Sequence, residues 1–220
     1  VLAAFFAVLF YADNKYETPP PYGNRGVINI NSRDLGRGNP VFLIDGWLLT
    51  DGRAVDKPTY IGEFSNLQRG DLTVSPHGEA CYRLTLHYEG EPAAVSVYFP
   101  QLSSRYGISL DGVRLAAGEG DGSITFLMTP GEHVLAVETS SKFGFYSGMY
   151  FPPSLGLAAT VSRVGSIRGF ACALAFLLPL ALAAFTLFLW RSGGETERCF
   201  GLLCGCYALY MFRYFGFLFS

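Results

Sequence analysis

The chain has 220 residues, half of them hydrophobic, with 16 basic against 18 acidic side chains and a formal net charge of −2. Because basic and acidic side chains are nearly balanced and form no basic patch, nucleic acid is not an expected partner. The length allows one ordinary soluble domain together with membrane segments.

Residues 1–12 are almost entirely apolar, but they make only about half of a helix long enough to cross a bilayer. We interpret them as the end of a first transmembrane helix or, alternatively, as the apolar core of a secretory signal segment. Both interpretations place the residues that follow outside the cell.

Residues 13–39 are rich in proline, glycine and asparagine, which is typical of a tether. Within this tether we expect one short strand, at Val27–Ile30.

Residues 40–166 carry the pattern of an all-β domain. In the run from Tyr82 to Tyr88, large apolar side chains alternate with polar ones, as in a strand with one buried face. The pair Asp111-Gly112 between two such runs predicts a two-residue hairpin turn. Because many short strands are separated by turn signals, we predict an extracellular β-sandwich of the jelly-roll, galactose-binding-like type.

Two long apolar runs end the chain, and each approaches the roughly 20 residues that span a bilayer. They predict a transmembrane helix at 167–190 and a truncated second one at 199–220. The polar residues between them, 191–198, form a short loop with an arginine at each end, which we place in the cytoplasm. The bilayer is therefore an expected partner, and the location is a multi-pass cell membrane with residues 13–166 extracellular.

The composition points to no metal or cofactor in this segment. The three histidines lack a metal-ligand spacing, and Cys199, Cys204 and Cys206 are interpreted as packing residues at the start of a span. We also find no catalytic constellation. The run Gly118–Gly122 resembles a phosphate-binding loop, but no helix or Lys-Ser/Thr follows, so we expect a flexible connection between strands.

Several phrases of the chain, in order, resemble a known family. They are Ile44-Asp-Gly-Trp-Leu-Leu-Thr-Asp-Gly52, Tyr60-Ile-Gly-Glu-Phe64, Ser75-Pro-His-Gly-Glu-Ala-Cys-Tyr-Arg-Leu-Thr-Leu86, Leu110-Asp-Gly-Val113 and Tyr146-Ser-Gly-Met-Tyr-Phe-Pro-Pro-Ser-Leu-Gly156. This set is similar to the bacterial seven-transmembrane receptors with diverse intracellular signalling modules, in particular to members that end in a sensor histidine kinase. The Asp-Gly phrase between strands also recurs in the N-terminal domains of β-galactosidase-like hydrolases.

The resemblance implies the sensory portion of a two-component signal-transduction receptor, with an extracellular domain that binds a carbohydrate or another small ligand. It also implies a homodimer formed through a kinase region beyond this segment. The alternatives are a membrane-anchored carbohydrate-binding module and an accessory domain of a glycan-processing protein. Aromatic side chains stack on sugar rings, so the candidate ligand-binding residues are Trp47, Tyr106, Tyr146 and Tyr150, with Arg105 as a hydrogen-bonding partner. For Trp47 a place in the core is the competing interpretation.

Overall fold

The computed structural model describes residues 20–51, 56–61, 75, 77–141, 148–188 and 194–216. These residues form two compact units that divide between Ser162 and Arg163.

The first unit is a single, mostly antiparallel sheet of nine strands, so the predicted all-β domain is confirmed. Its strands are β1 (Val27–Asn31), β2 (Val41–Phe42), β3 (Trp47–Thr50), β4 (Lys57–Thr59), β5 (Gly78–Glu89), β6 (Ala93–Leu110), β7 (Val113–Met128), β8 (Gly131–Ser141) and β9 (Ser154–Leu157). The order across the sheet is β2-β9-β6-β8-β5-β3-β4, with β1 beside β5 and β7 beside β6.

The two longest strands, β6 and β7, make the sheet curl. The first part of β6, Val95–Tyr98, pairs with β9, whereas its last part, Arg105–Leu110, pairs with β8. The register with β7 shifts between these parts, from Phe99 to Tyr106, and such irregularities bend a strand. The run Gly118–Gly122, expected to be a loose connection, lies within β7 and pairs with this bent part of β6.

The core lies on one face of the sheet. Along β5 the residues Tyr82, Leu84, Leu86 and Tyr88 are buried, and the side chains between them are not, as the alternation predicts. Burial of each such side chain contributes roughly 1.5–3 kcal/mol. Trp47 packs edge-on against Tyr82, with ring centroids 6.5 Å apart.

The predicted turn at Asp111-Gly112 is confirmed. Both residues have positive φ, 52° and 79°, and Leu110 pairs with Val113 across the turn. This left-handed backbone is what a two-residue hairpin with the sheet's twist requires.

The tether assignment for residues 13–39 needs correction over its described part. Strand β1 pairs in parallel with β5, and it buries Ile28 and Ile30 in the core. A short helix, α1 (Ser32–Gly36), follows and buries Leu35, and Asn31 caps its first turn. These residues belong to the domain because their apolar side chains alternate toward the buried face that they share with β5.

A long helix, α2 (Ala158–Phe188), follows β9 with no residue between them, and α3 (Glu195–Gly216) comes next. The helix therefore begins nine residues before the predicted boundary at 167. Among the described residues, α2 alone has the length and hydropathy to cross a membrane: within Ala158–Thr186 an 18-residue window reaches a mean hydropathy of 2.1.

Within the second unit, the two helices pack through small residues. A β-carbon added to Gly201 of α3 would collide with the hydroxyl of Thr186 on α2, and one added to Gly205 would lie 3.8 Å from the β-carbon of Ala183. Ala183 and Ala208 are buried in this unit, whereas large apolar side chains such as Phe185 and Leu203 are exposed. Close approach over small residues is typical of helices that pack in lipid.

Candidate functional site

A groove of about 710 Å³ lies on the β-domain. Among the described residues it is lined by Thr50, Asp51, Glu79, Ala80, Cys81, Arg105, Tyr106, Gly107, Arg114, Glu138, Thr139 and Ser140. Most of its charged and polar side chains alternate with core residues along their strands, so they project from the outer face of the sheet.

Sheet register builds the groove as two rows of residues. In the first row, Thr50 of β3 lies opposite Cys81 of β5, which lies opposite Glu138 of β8, which lies opposite Gly107 of β6. The second row carries Glu79, Ser140 and Arg105 on β5, β8 and β6.

The first row has space for a side chain from the neighbouring strand. Arg114 of β7 lays its guanidinium over Gly107, where a β-carbon would collide with it. Its Nη2 atom lies 3.1 Å from Oε2 of Glu138. The glycine thus allows an arginine from an edge strand to reach a carboxylate two strands away.

In the second row, Arg105 forms an ion pair with Glu119 of β7, with its Nε atom 3.1 Å from Oε1, and its side chain is 84% exposed. The hydroxyl of Ser140 donates to Oε1 of Glu79 at 3.4 Å. Exposed ion pairs contribute at most about 1 kcal/mol to stability. These groups are therefore available for exchange with a ligand at little cost to the fold.

Tyr106 lies where β6 bends. Its hydroxyl donates to the backbone carbonyl of Asp121 at 3.0 Å. Its ring lies close to two glycines of β7: added β-carbons would be 3.1 Å from the hydroxyl oxygen at Gly118 and 3.2 Å from Cζ at Gly122. Partial burial, followed by the charge of Asp121, raises the pKa of Tyr106, so the phenol stays protonated and acts as a donor.

Cys81 is half-buried in the floor of the groove. Burial raises the pKa of its thiol, although the charge of Arg83 acts in the opposite direction. Because the thiolate is the nucleophilic form, the raised pKa makes this thiol less nucleophilic at neutral pH than an ordinary cysteine. Within the described part of the chain, no group of three or more His, Cys, Asp or Glu side chains could hold a metal ion.

The structure brings together two of the five predicted ligand-binding residues, Arg105 and Tyr106, in the groove. Tyr150 is half-buried and does not line it. Tyr146 lies outside the described residues.

Trp47 requires a correction, because it is fully buried in the core and cannot contact a ligand at the surface. Its indole nitrogen donates to the carbonyl of Leu43 at 2.9 Å, so both its apolar surface and its polar atom are satisfied inside the domain.

Sequence reasoning missed Arg114, Glu138 and Glu79. Their outward positions on strands could be read from the alternation, but their proximity could not. The groove exists because β8 lies between β5 and β6 in the sheet, an arrangement that strand order along the chain does not reveal.

Comparisons with known proteins identify no family. No family model matches the chain, and no curated protein matches it. Similar solved structures include a GH2 beta-galacturonidase from Eisenbergiella tayi bound to galacturonate, with 18% identity and a TM-score of 0.42 over 50% of this chain and 23% of that one.

Two further similar structures have comparable scores. An FMN-binding beta-glucuronidase from Facaelibacterium prausnitzii L2-6 has 18% identity and a TM-score of 0.42 over 53% of this chain and 22% of that one. A glycosyl hydrolase family 2 member from Bacteroides cellulosilyticus has 13% identity and a TM-score of 0.40 over 50% of this chain and 19% of that one. The chain thus spans less than a quarter of each of these three proteins.

Proposed function

We propose that this chain is the sensory and membrane portion of a bacterial signal-transducing receptor, whose extracellular β-domain binds a carbohydrate in the groove. The observation that carries the proposal is the direct continuation of β9 into α2, from Leu157 to Ala158. A strand held inside the sheet and followed at once by a helix is a short mechanical route from a binding domain to a membrane segment.

The composition of α2 supports the membrane part of the proposal. The 20 residues from Gly169 to Phe188 contain no charged side chain, and at a rise of about 1.5 Å per residue they extend roughly 30 Å, the thickness of the bilayer core. Large apolar side chains on this stretch, among them Phe170, Leu178 and Phe188, are exposed. An apolar surface of this kind requires lipid or other helices around it.

The charge pattern of the groove supports an uncharged, hydroxyl-rich ligand. Arg114 and Arg105 already have carboxylate partners, Glu138 and Glu119, so the two pairs add no net charge that would attract a charged ligand. A sugar hydroxyl can instead donate to a carboxylate and accept from a guanidinium at the same time. We therefore assign the carbohydrate to the rows that contain these residues.

The route from groove to helix runs through β6. This strand carries Arg105 and Gly107 near one end, and its Val95–Tyr98 segment pairs with β9. A ligand shifts a receptor only if it binds two states of the domain unequally. We propose that a change in the bend of β6 is that difference, and that a sensor histidine kinase, joined as a homodimer, responds to it.

The test uses the whole chain in lipid nanodiscs, titrated with neutral mono- and oligosaccharides and with cell-wall fragments. We expect one class to bind with an affinity that falls in Arg114→Gln, and binding to change hydrogen exchange in the 158–188 helix. A second variant carries a flexible Gly-Ser linker between Leu157 and Ala158, which should keep binding and abolish the change in the helix.

If the sugar binds and the helix does not respond, the receptor is wrong and the chain is a membrane-anchored carbohydrate-binding module. This second candidate has an observation in its favour, since every described residue that lines the groove comes from the β-domain. If the helix responds equally with the linker, the direct junction of β9 and α2 is not the route. If no saccharide binds at millimolar concentration, the assigned ligand class is wrong.

A further inference from the structure

His133 is placed between the two turns that begin and end β7. Its Nδ1 atom lies 2.8 Å from Oδ2 of Asp111, in the β6–β7 turn. Its Nε2 atom lies 2.9 Å from the backbone carbonyl of Thr129, in the β7–β8 turn. One imidazole ring therefore ties together the two ends of a strand of 16 residues.

Both of these partners are acceptors. A carboxylate and a carbonyl have no proton to give, so each ring nitrogen must carry its own. The hydroxyl of Thr129 is also near Nε2, but at 3.4 Å it is farther than the carbonyl. Full pairing thus requires the imidazolium form, and the neutral ring can keep only one of the two hydrogen bonds.

Few pairs of the β6–β7 ladder lie between the turn and the nearest bulge. In the described register, two pairs, Ser109 with Arg114 and Leu110 with Val113, lie between the turn and the bulge that follows Ile108. Asp111 adds further contacts: its carboxylate accepts from the backbone N–H of Val134 at 2.7 Å, and its own N–H donates to the carbonyl of Val134 at 2.9 Å.

We infer that His133 is a positioning residue for the groove: its doubly protonated ring fixes the β6–β7 turn, and through that turn the place of Arg114. The inference rests on the groove proposed above as the binding site. Arg114 is three residues from Asp111 and reaches over Gly107 to Glu138, so loss of a proton from His133 loosens the segment that carries the guanidinium.

The surroundings of His133 agree with this role. The hydrogen bond to Asp111 raises the pKa of the ring, and this effect outweighs partial burial, which acts in the opposite direction. On β5, the residue in register with His133 is the apolar Leu86. The neighbouring His87 contacts Glu89 and Glu132, at 3.3 and 3.9 Å, and not Asp111.

The experiment measures hydrogen exchange at the Arg114 and Val134 amides of the full chain in nanodiscs, between pH 5.5 and 8.5, corrected for the intrinsic rate. In the unaltered chain we expect protection to fall roughly tenfold as the pH rises through a midpoint above 6.5, since one charge-assisted hydrogen bond is lost. The variant His133→Gln should show the lower protection at every pH. The matched control, His87→Gln, should keep the full transition.

A second variant guards against misfolding. Asp111→Asn keeps an oxygen for the Val134 N–H but removes the charge that favours the imidazolium, so its midpoint should fall to the ordinary histidine range or below. A role in stability alone would not move a midpoint. Protection that is independent of pH in the unaltered chain, or a transition lost in His87→Gln, would overturn the inference. No carbohydrate is added in this experiment, so its failure is distinct from failure of the proposed function.

Discussion

The guanidinium of Arg114 occupies the space above Gly107 that a β-carbon would fill in any other residue. At this point the groove is lined by backbone that the side chain of another strand covers. The positions of both residues matter to the site, although neither contributes to the core.

Replacing Gly107 with alanine separates binding from folding. The new methyl group meets the far end of a flexible side chain, so Arg114 moves away from Glu138 at little cost, and the stability should stay within about 0.5 kcal/mol. Affinity for the groove ligand should fall roughly tenfold, or about 1.4 kcal/mol. Thermal unfolding and titration calorimetry measure the two effects. The control is Gly36→Ala, in α1, where a β-carbon meets nothing. An unchanged affinity in Gly107→Ala would show that the position of Arg114 does not contribute to binding.

The pair Asp111–His133 predicts a window of pH in which the domain is most stable. Partial burial acts to raise the pKa of Asp111, but hydrogen bonds from His133 and Val134 outweigh it and lower the pKa below the ordinary 3.8. This stabilisation is present above pH 3.8 and is lost as pH falls through the lowered value. The stabilisation from His133 is present below pH 6.5 and is lost as pH rises through the raised pKa of its ring.

We therefore compare Tm of the unaltered chain with that of Asp111→Asn across pH 3 to 9. The difference should be largest between about pH 4 and 6.5 and should shrink on both sides. A difference that stays constant across the whole range would contradict the linkage.

Trp47 gives a prediction about the core. Replacing it with alanine should cost roughly 3–5 kcal/mol, because a large buried ring is removed, and Trp47→Phe should cost less while still losing the hydrogen bond to Leu43. In a Trp190→Phe background, fluorescence of the remaining tryptophan should be blue-shifted and insensitive to iodide. Saccharide binding should leave that emission unchanged. Direct quenching by the ligand would show that Trp47 contacts it and would contradict the core placement.

Gly201 and Gly205 allow a matched comparison in the helical unit. Alanine at position 201 collides with Thr186, whereas alanine at 205 makes an ordinary contact with Ala183. We expect Gly201→Ala to lower the resistance of the helix pair to unfolding in a detergent titration followed by circular dichroism. Gly205→Ala should change it little. Equal effects would show that the two helices do not pack as described.

Local features of this fold are predictable from the sequence, and long-range ones are not. The alternation of apolar and polar residues in β5 is enough to identify the buried face of that strand, and Asp111-Gly112 is enough to identify the β6–β7 turn. Both features depend only on residues that are neighbours in the chain. Composition assigns β1 to a tether, since Ile28 and Ile30 have a buried face only once β5 lies beside them.

The start of α2 is hidden from sequence reasoning for a related reason. A count of apolar residues finds the stretch that matches a bilayer, but not the helical turns before it, which carry polar residues such as Ser162, Arg163 and Ser166. The groove is only half predictable: Arg105 and Tyr106 follow from one strand, whereas Arg114 and Glu138 join them only through strand order and a bulge.

The pairing of β2 with β9 has a consequence for how the molecule is made. Val41 pairs with Leu155, so the early strand β2 can pair only after β9, the last strand of the sheet, has been synthesised. Closing so long a loop is slow and leaves strand edges exposed meanwhile. Because α2 begins directly after β9, the residues that complete the sheet emerge from the ribosome just ahead of the apolar helix. The domain therefore closes at the stage of biosynthesis at which α2 emerges.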